Sequence, residues 1–297
     1  MPQDPFPALT RFAAPARARP ELWRVLATLV VGGIAFGILM QSSLLVLHLL
    51  TGPFWSAAIL RAMEGGRTEI GVIGILASFI PLAFGLALAI RVLHDRSWIS
   101  LFGPARLTRH TLFRVGGGVL AVQAVLLPIQ ALSPQVGSHL SLGQQLPWLM
   151  PALIGILVQS ATEEALFRGY LLQQMAVQSR SRLAWMVAPS VLFALLHIDP
   201  TDDLPQMLWT GSTAMLFGLA AADITARTGT LGPAIGMHMA SNISGLLLVG
   251  LYGRMDGLAL FNLVLNPMRH WDGLPYMAID LLGIVVAWLV ARLILRV

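Results

Sequence analysis

Long apolar stretches recur along this sequence, and they constrain its fold more than any other feature. A helix needs roughly 20 mostly apolar residues to cross a lipid bilayer. Stretches of about that length lie near residues 22–50, 70–93, 115–133, 147–175, 184–199, 206–224, 230–250 and 275–295. The pattern predicts an all-α fold, a polytopic transmembrane helix bundle with about eight spanning helices.

The overall composition favours the same class of protein. Of the 297 residues, 56% are hydrophobic and 11% are charged, whereas a soluble domain has about 25% charged residues. A soluble fold of this size could not bury so much apolar surface. The chain contains no cysteine, which excludes disulfides, thiolate zinc sites and a cysteine nucleophile.

The basic residues predict the orientation in the membrane. All 19 are arginine, and they lie between the apolar stretches rather than in one patch, so we expect no nucleic-acid partner. Arginines flanking membrane helices favour the cytoplasmic side. If the N terminus is cytoplasmic, the arginines that fall on the opposite side are Arg61, Arg67, Arg254 and Arg269. We therefore predict an integral protein of the plasma (inner) membrane with both termini in the cytoplasm.

The chain is predicted to form one membrane domain. Residues 1–21 are expected to be a cytoplasmic N-terminal segment, and residues 22–297 a single transmembrane domain. The apolar stretch at 22–50 is longer than the apolar region of a cleavable signal, so we expect it to remain as the first helix. Two shorter apolar segments, 53–62 and 258–266, are too short to cross and are expected to lie in the membrane interface.

The fourth apolar stretch contains three ionisable residues. One charged residue at the centre of a membrane helix costs about 2.5–3.5 kcal/mol on insertion scales, and such residues usually serve a function. Glu164 and Arg168 are spaced i, i+4 in the favourable order and can pair on one helix face. Glu163 points about 100° away around the helix, so that pair does not neutralise it. The alternative is a structural ion pair beside a carboxylate in a water pocket.

Two later stretches carry further polar side chains. His197 ends the fifth stretch, while His238 and Asn242 in the seventh are spaced i, i+4 and share a helix face. Structural roles are the alternative, because a lone histidine can be a hydrogen-bonded core residue and polar pairs can join membrane helices. Hydrolysis of an amide by water needs a base and fixed donors for the developing oxyanion. Carboxylate, imidazole and amide groups can supply both.

These residues form three motifs on separate apolar stretches, and the motifs resemble those of the CPBP family. The motifs are Glu163-Glu164-x-x-x-Arg168, Phe193-x-x-x-His197 and His238-x-x-x-Asn242. The family comprises the type II CAAX prenyl proteases and their bacterial relatives, the bacteriocin-processing and abortive-infection-type proteins. The resemblance covers about residues 147–250, which we take as the catalytic core. Glu164 and Arg168 resemble the family's supporting pair.

The resemblance implies an intramembrane endopeptidase that hydrolyses a peptide bond of a membrane-associated or C-terminally tagged substrate. In that scheme Glu163, helped by His197, activates water, and His238 and Asn242 stabilise the oxyanion. No cofactor is expected. The implied partners are a protein or peptide substrate and the lipid bilayer. Prenylated C-terminal CAAX peptides are the first substrates that the resemblance suggests, and peptide precursors or membrane regulators are the next.

Two other classes of function use the same residues. A zinc-dependent hydrolase would take Glu163 or Glu164, His197 and His238 as ligands, because a carboxylate and two imidazoles can form an open zinc site. A non-enzymatic transporter or immunity protein would use the buried charges as a proton relay or a scaffold. Metal analysis distinguishes a zinc-dependent hydrolase from a metal-free protease. A peptidase assay distinguishes a protease from a non-enzymatic transporter or immunity protein.

Overall fold

The computed structural model describes residues 6–265 and 271–297, and this part of the chain is mostly helical. The helices are α1 (Pro7–Phe12), α2 (Leu22–Met63), α3 (Glu69–Ala77), α4 (Phe79–His94), α5 (Ala105–Ala131), α6 (Leu142–Glu164), α7 (Leu172–Gln178), α8 (Ala188–Leu195), α9 (Leu204–Thr228), α10 (Gly232–Ile243) and α11 (Leu274–Leu295). Two 3₁₀ turns (Ala14–Ala18, Trp98–Leu101) and three π-helical turns (Ala165–Leu171, Leu183–Val187, Ser244–Leu248) adjoin them. The predicted all-α fold is confirmed. Residues 1–5 of the predicted N-terminal segment, the predicted external Arg269 and residue 266 lie outside the described residues.

Within the described ranges, six helical segments are long and apolar enough to cross a bilayer, which identifies an integral membrane protein. They are Leu22–Met63, Glu69–His94, Ala105–Gln130, Leu142–Gln178, Leu204–Thr228 and Leu274–Leu295. The other two predicted spans are shorter than predicted. Leu183–Leu195 reaches about 20 Å at 1.5 Å per residue. The predicted span 230–250 begins at Gly232 and gives way to a β-strand at Val249.

The burial of α10 explains why the predicted span 230–250 was too long. Nearly all of its residues from Gly232 to Ala240 are buried, so their apolar character reflects contact with protein rather than with lipid. Its glycines allow close packing against α5. A Cβ added at Gly236 would lie 2.6 Å from the carbonyl oxygen of Leu112. The two backbones therefore touch at this point, and α10 is the central helix of the bundle.

α2 is broken at Gly52, which has φ +79°, a left-handed value that favours glycine. Pro53 follows and lacks the N–H that an uninterrupted helix needs. The first part of α2 corresponds to the predicted span 22–50. The second part, residues 53–63, contains the segment 53–62 that was expected to lie in the interface.

Three short strands, which hydropathy did not predict, form a small sheet. β1 (Val136–Ser138), β2 (Val249–Leu251) and β3 (Phe261–Leu263) lie in the order β1-β3-β2. β1 pairs antiparallel and β2 parallel with β3. Leu258 and Ala259 are fully buried, although the segment 258–266 was expected to lie in the interface. The sheet therefore joins the connection after α5 to the connection between α10 and α11.

The two ends of the bundle differ in character. We call one end the basic face; it consists of residues 6–20, 95–104, 179–182, 227–231 and 296–297. The opposite end, the loop face, consists of residues 64–68, 132–141, 196–203, 249–265 and 271–273. Contacts hold each group together, such as the hydrogen bond from the Leu231 N–H to the carbonyl oxygen of Phe102 at 3.1 Å on the basic face and the Arg254–Asp202 ion pair on the loop face.

The N-terminal segment is packed onto the basic face. Phe6, Leu9 and Phe12 are buried. The Phe6 ring lies 5.5 Å from the ring of Trp185, and the guanidinium of Arg182 lies 4.9 Å above it. Residues 6–19 therefore cover the ends of the helices and form part of the core.

Candidate functional site

The last residues of α6 place two carboxylates inside the bundle. Glu164 is 0% exposed and Arg168 is 1% exposed. Arg168 Nη1 donates to Glu164 Oε1 at 3.1 Å, which is the i, i+4 pair predicted from the sequence. Arg168 lies in the π-helical turn Ala165–Leu171. Such turns are rare and often mark functional sites.

Glu164 has a second partner, His238, on the central helix α10. With the carboxylate ionised, His238 Nδ1 donates to Glu164 Oε1 at 2.9 Å. The same imidazole turns its other nitrogen toward Glu163, with His238 Nε2 3.6 Å from Glu163 Oε2. The ring is therefore held by one carboxylate and faces the other. When His238 is protonated, two carboxylates and two cations form a charge-balanced cluster.

Phenylalanine rings surround this cluster. The Arg168 guanidinium carbon lies 4.5 Å from the Phe193 centroid and 5.6 Å from that of Phe217. The Phe217 and His238 rings are 4.8 Å apart. Aromatic faces attract the guanidinium. They also exclude water, which strengthens the ionic contacts of the cluster.

Glu163 is the more exposed of the two glutamates and makes fewer contacts. Its side chain is 12% exposed, and Oε2 has no hydrogen-bond partner among the residues that the structure describes. Glu164 is fully enclosed, and its Oε1 holds two partners, although its Oε2 also has no hydrogen-bond partner among the described residues. Glu163 is thus the carboxylate that is free to contact a substrate or a water molecule.

His197 lies in the turn after α8 and is exposed. Its Nδ1 donates to the carbonyl oxygen of Phe193 at 2.8 Å, and its ring lies 4.2 Å from the Phe193 ring. In this tautomer Nε2 carries a lone pair and can accept a proton. The Phe193 ring is also near the other histidine, 6.2 Å from the ring of His238. Over the described ranges, His197 makes no hydrogen bond to Glu163.

Asn242 contacts Gln159, which was not among the predicted site residues. Its Nδ2 donates to Gln159 Oε1 at 2.6 Å, and Ser160 Oγ donates to the same oxygen at 3.2 Å. Gln159 precedes Glu163 by one helical turn, so both lie on one face of α6. The spacing was visible in the sequence, but glutamine in a membrane helix has many structural uses. The contact fixes one N–H of Asn242 and leaves the second N–H available.

The zinc ligand set proposed as an alternative is not formed by these side chains. No group of three or more His, Asp or Glu residues in the described part of the chain is arranged to hold a metal ion. His197 makes its hydrogen bond to the carbonyl oxygen of Phe193, while His238 makes its own to Glu164. The structure therefore brings together Glu163, Glu164 and His238, but it does not add His197 to them as a third ligand.

Comparisons with known proteins cover this same region. Residues 145–244 match the family described as type II CAAX prenyl endopeptidase Rce1-like. The uncharacterized protein YyaK of Bacillus subtilis (strain 168) is 31% identical over 97 residues, which covers 32% of this chain and 32% of that protein. The chain thus matches about a third of that relative's length. No solved structure matches the chain significantly. The resemblance suggested by the three motifs is confirmed for this region.

Proposed function

From the similarity of residues 145–244 to the type II CAAX prenyl endopeptidases, we propose that this protein is an intramembrane endopeptidase. It hydrolyses a peptide bond of a membrane-associated protein or peptide with water activated by Glu163. The observation that carries the proposal is the 3.6 Å approach of Glu163 Oε2 to His238 Nε2 inside an aromatic shell. A base therefore lies beside a fixed donor. Peptidase assay of the purified protein tests it.

The chemical step needs no covalent intermediate. A water molecule bound to the Glu163 carboxylate transfers a proton to it while the water oxygen attacks the peptide carbonyl carbon. The tetrahedral intermediate then collapses, the C–N bond breaks, and Glu163 returns the proton to the leaving amine. The products are a carboxylic acid and an amine. Glu163 thus acts as general base and then as general acid.

His238 and Asn242 are the proposed donors to the oxyanion. Protonated His238 donates from Nε2, because Glu164 already engages Nδ1. Asn242 donates from the N–H that Gln159 does not use. Each such donor contributes about 2.7–4 kcal/mol to stabilising the transition state in known oxyanion holes. Glu164 and Arg168 act through His238 by holding its ring in place.

His197 is proposed to assist Glu163 through water. Its Nδ1 is engaged by the carbonyl oxygen of Phe193, so its Nε2 is the atom that accepts a proton. The side chain is exposed at the edge of the site, where water reaches it. This arrangement lets His197 relay a proton between Glu163 and solvent.

Loss of the Asn242 amide should slow the chemical step. We expect Asn242→Ala to lower kcat roughly a hundredfold with little change in KM, as for a donor that acts in the transition state. Gln159→Leu should lower kcat by roughly tenfold, because it frees the Asn242 side chain to rotate, whereas Gln159→Glu keeps an acceptor oxygen and should restore much of the loss. The measurement is cleavage of a quenched fluorescent CAAX peptide, with and without a farnesyl group, in detergent. Equal kcat for Gln159→Leu and wild type would remove Gln159 from this role.

Metal removal should leave the activity intact. In the described part of the chain the donor set does not form a three-ligand site. We expect substoichiometric zinc in purified protein and unchanged turnover after exhaustive chelation. Elemental analysis and the same peptide assay measure both. If the protein instead contains stoichiometric zinc, and activity is lost on its removal and regained on its return, these residues form the site of a metalloprotease.

A further inference from the structure

The candidate site is closed toward the basic face. Tyr170, Leu172 and Ile224 lie between the glutamates and that face, and each is 0% exposed. On the basic face itself, the N-terminal segment 6–19 covers the helix ends. A peptide cannot reach Glu163 through this layer without separating packed helices.

The same site is open toward the loop face. His197, at the end of α8, is exposed, and so is Gly245, one turn beyond Asn242. Asn242 itself is partly exposed. α8 and the π-helical turn after α10 both end at this level rather than continuing across the bundle. The short length of these helices therefore leaves the catalytic groups accessible from one end.

A cavity of about 330 Å³ lies on the loop face beside this opening. Its walls include Asp202, Trp209, Tyr252 and Arg254. The loop that begins at His197 forms one side of it. Arg254 and Asp202 form an ion pair, and Asp203 and Gln206 also line the cavity. A ligand would therefore meet polar groups as well as the two aromatic rings, which suits an extended peptide segment.

The arginines indicate which compartment the loop face meets. Among the described residues the loop face carries two arginines, Arg67 and Arg254, whereas the basic face carries eight, which are Arg11, Arg17, Arg19, Arg96, Arg180, Arg182, Arg227 and Arg296. Arg67 Nε donates to the carbonyl oxygen of Gly253, which places both on the loop face. Because arginine is enriched on the cytoplasmic side of membrane proteins, the loop face is extracytoplasmic.

We infer that the protease site takes its substrate from the extracytoplasmic side of the membrane. The substrate class is an extended segment of a membrane-anchored or exported protein. A prenylated C terminus on the cytoplasmic surface would meet the closed end of the bundle. This inference rests on the proposed protease function for its substrate, but the direction of the opening stands on burial and charge alone.

Single-cysteine labelling tests the direction of the opening, because the chain has no cysteine of its own. We would introduce His197→Cys at the site, Tyr252→Cys on the loop face and Ser97→Cys as the matched exposed position on the basic face. In intact cells, a membrane-impermeant methanethiosulfonate should modify the first two and leave the third unmodified. In inverted vesicles the same reagent should modify Ser97→Cys and leave His197→Cys and Tyr252→Cys unmodified. Modification of His197→Cys from the cytoplasmic side alone would overturn the inference, whether or not the protein is a protease.

Cleavage by oriented proteoliposomes tests the substrate side. The probe is the non-farnesylated quenched peptide, added outside liposomes whose orientation is scored by labelling Tyr252→Cys and Ser97→Cys. Cleavage should be at least tenfold faster when the loop face is outward. Faster cleavage with the basic face outward would overturn the inference. If detergent-solubilised wild type cleaves no peptide, the proposed function fails, and the labelling result alone decides the direction of the opening.

Discussion

Replacement of Glu163 by glutamine is expected to abolish peptide cleavage while the protein still inserts and folds. Glutamine has the same shape and volume, but it cannot accept the proton of the attacking water. Glu163 is partly exposed and its Oε2 has no hydrogen-bond partner in the described part of the chain, so the fold loses little. Loss of a general base lowers kcat by about 10²–10⁴-fold. Turnover of the quenched peptide and the thermal unfolding temperature are the two measurements.

Glu64→Gln is the matched control for that variant. Glu64 is an exposed carboxylate at the end of α2, so its neutralisation removes one negative charge without touching the site. We expect wild-type turnover from it. A well-folded Glu163→Gln protein with wild-type turnover would exclude Glu163 as the base and would leave the proposed mechanism without a proton acceptor.

Replacement of Glu164 by glutamine should instead destabilise the protein. Glu164 and Arg168 are almost completely buried, and removing one partner leaves a charge inside the bundle without compensation. Breaking a buried pair in this way costs about 3–5 kcal/mol. The imidazole of His238 also loses its acceptor. The expected result is a lower unfolding temperature in detergent, together with reduced kcat in whatever fraction remains folded.

The chain offers a control with the same spacing in a different environment. Arg91 and Asp95 form an i, i+4 pair at 2.9 Å, with side chains that are 66% and 62% exposed. An exposed pair contributes about 0–1 kcal/mol, so Asp95→Asn should barely change the unfolding temperature. Equal unfolding temperatures for Glu164→Gln and the parent protein would contradict the supporting role of Glu164.

Local features of the site followed from the sequence because they depend on helical spacing. Glu164 and Arg168 pair as their i, i+4 separation requires. The contacts between helices did not follow from it. Glu164 meets His238 across 74 residues, and Asn242 meets Gln159 across 83. Partner choice at such distances depends on how the helices pack, and a single sequence does not record that.

Hydropathy predicted the helices but not which of them contact lipid. A helix buried in a protein core and a helix buried in a bilayer have the same apolar composition, so the central α10 was predicted as a full span. The strands were missed for a different reason. Each has three residues, which is too short to show the alternation that identifies a strand.

The docking of the N-terminal segment has a consequence for how the protein is made. Phe6 packs on Trp185 and lies beneath Arg182 and Arg227, which leave the ribosome long after it. At about 5–20 residues per second, synthesis of the intervening chain takes about ten seconds or more. During that interval Phe6 lacks these three partners. The basic face therefore closes late in biogenesis, and until then nascent chains expose this segment to chaperones and to the bilayer surface.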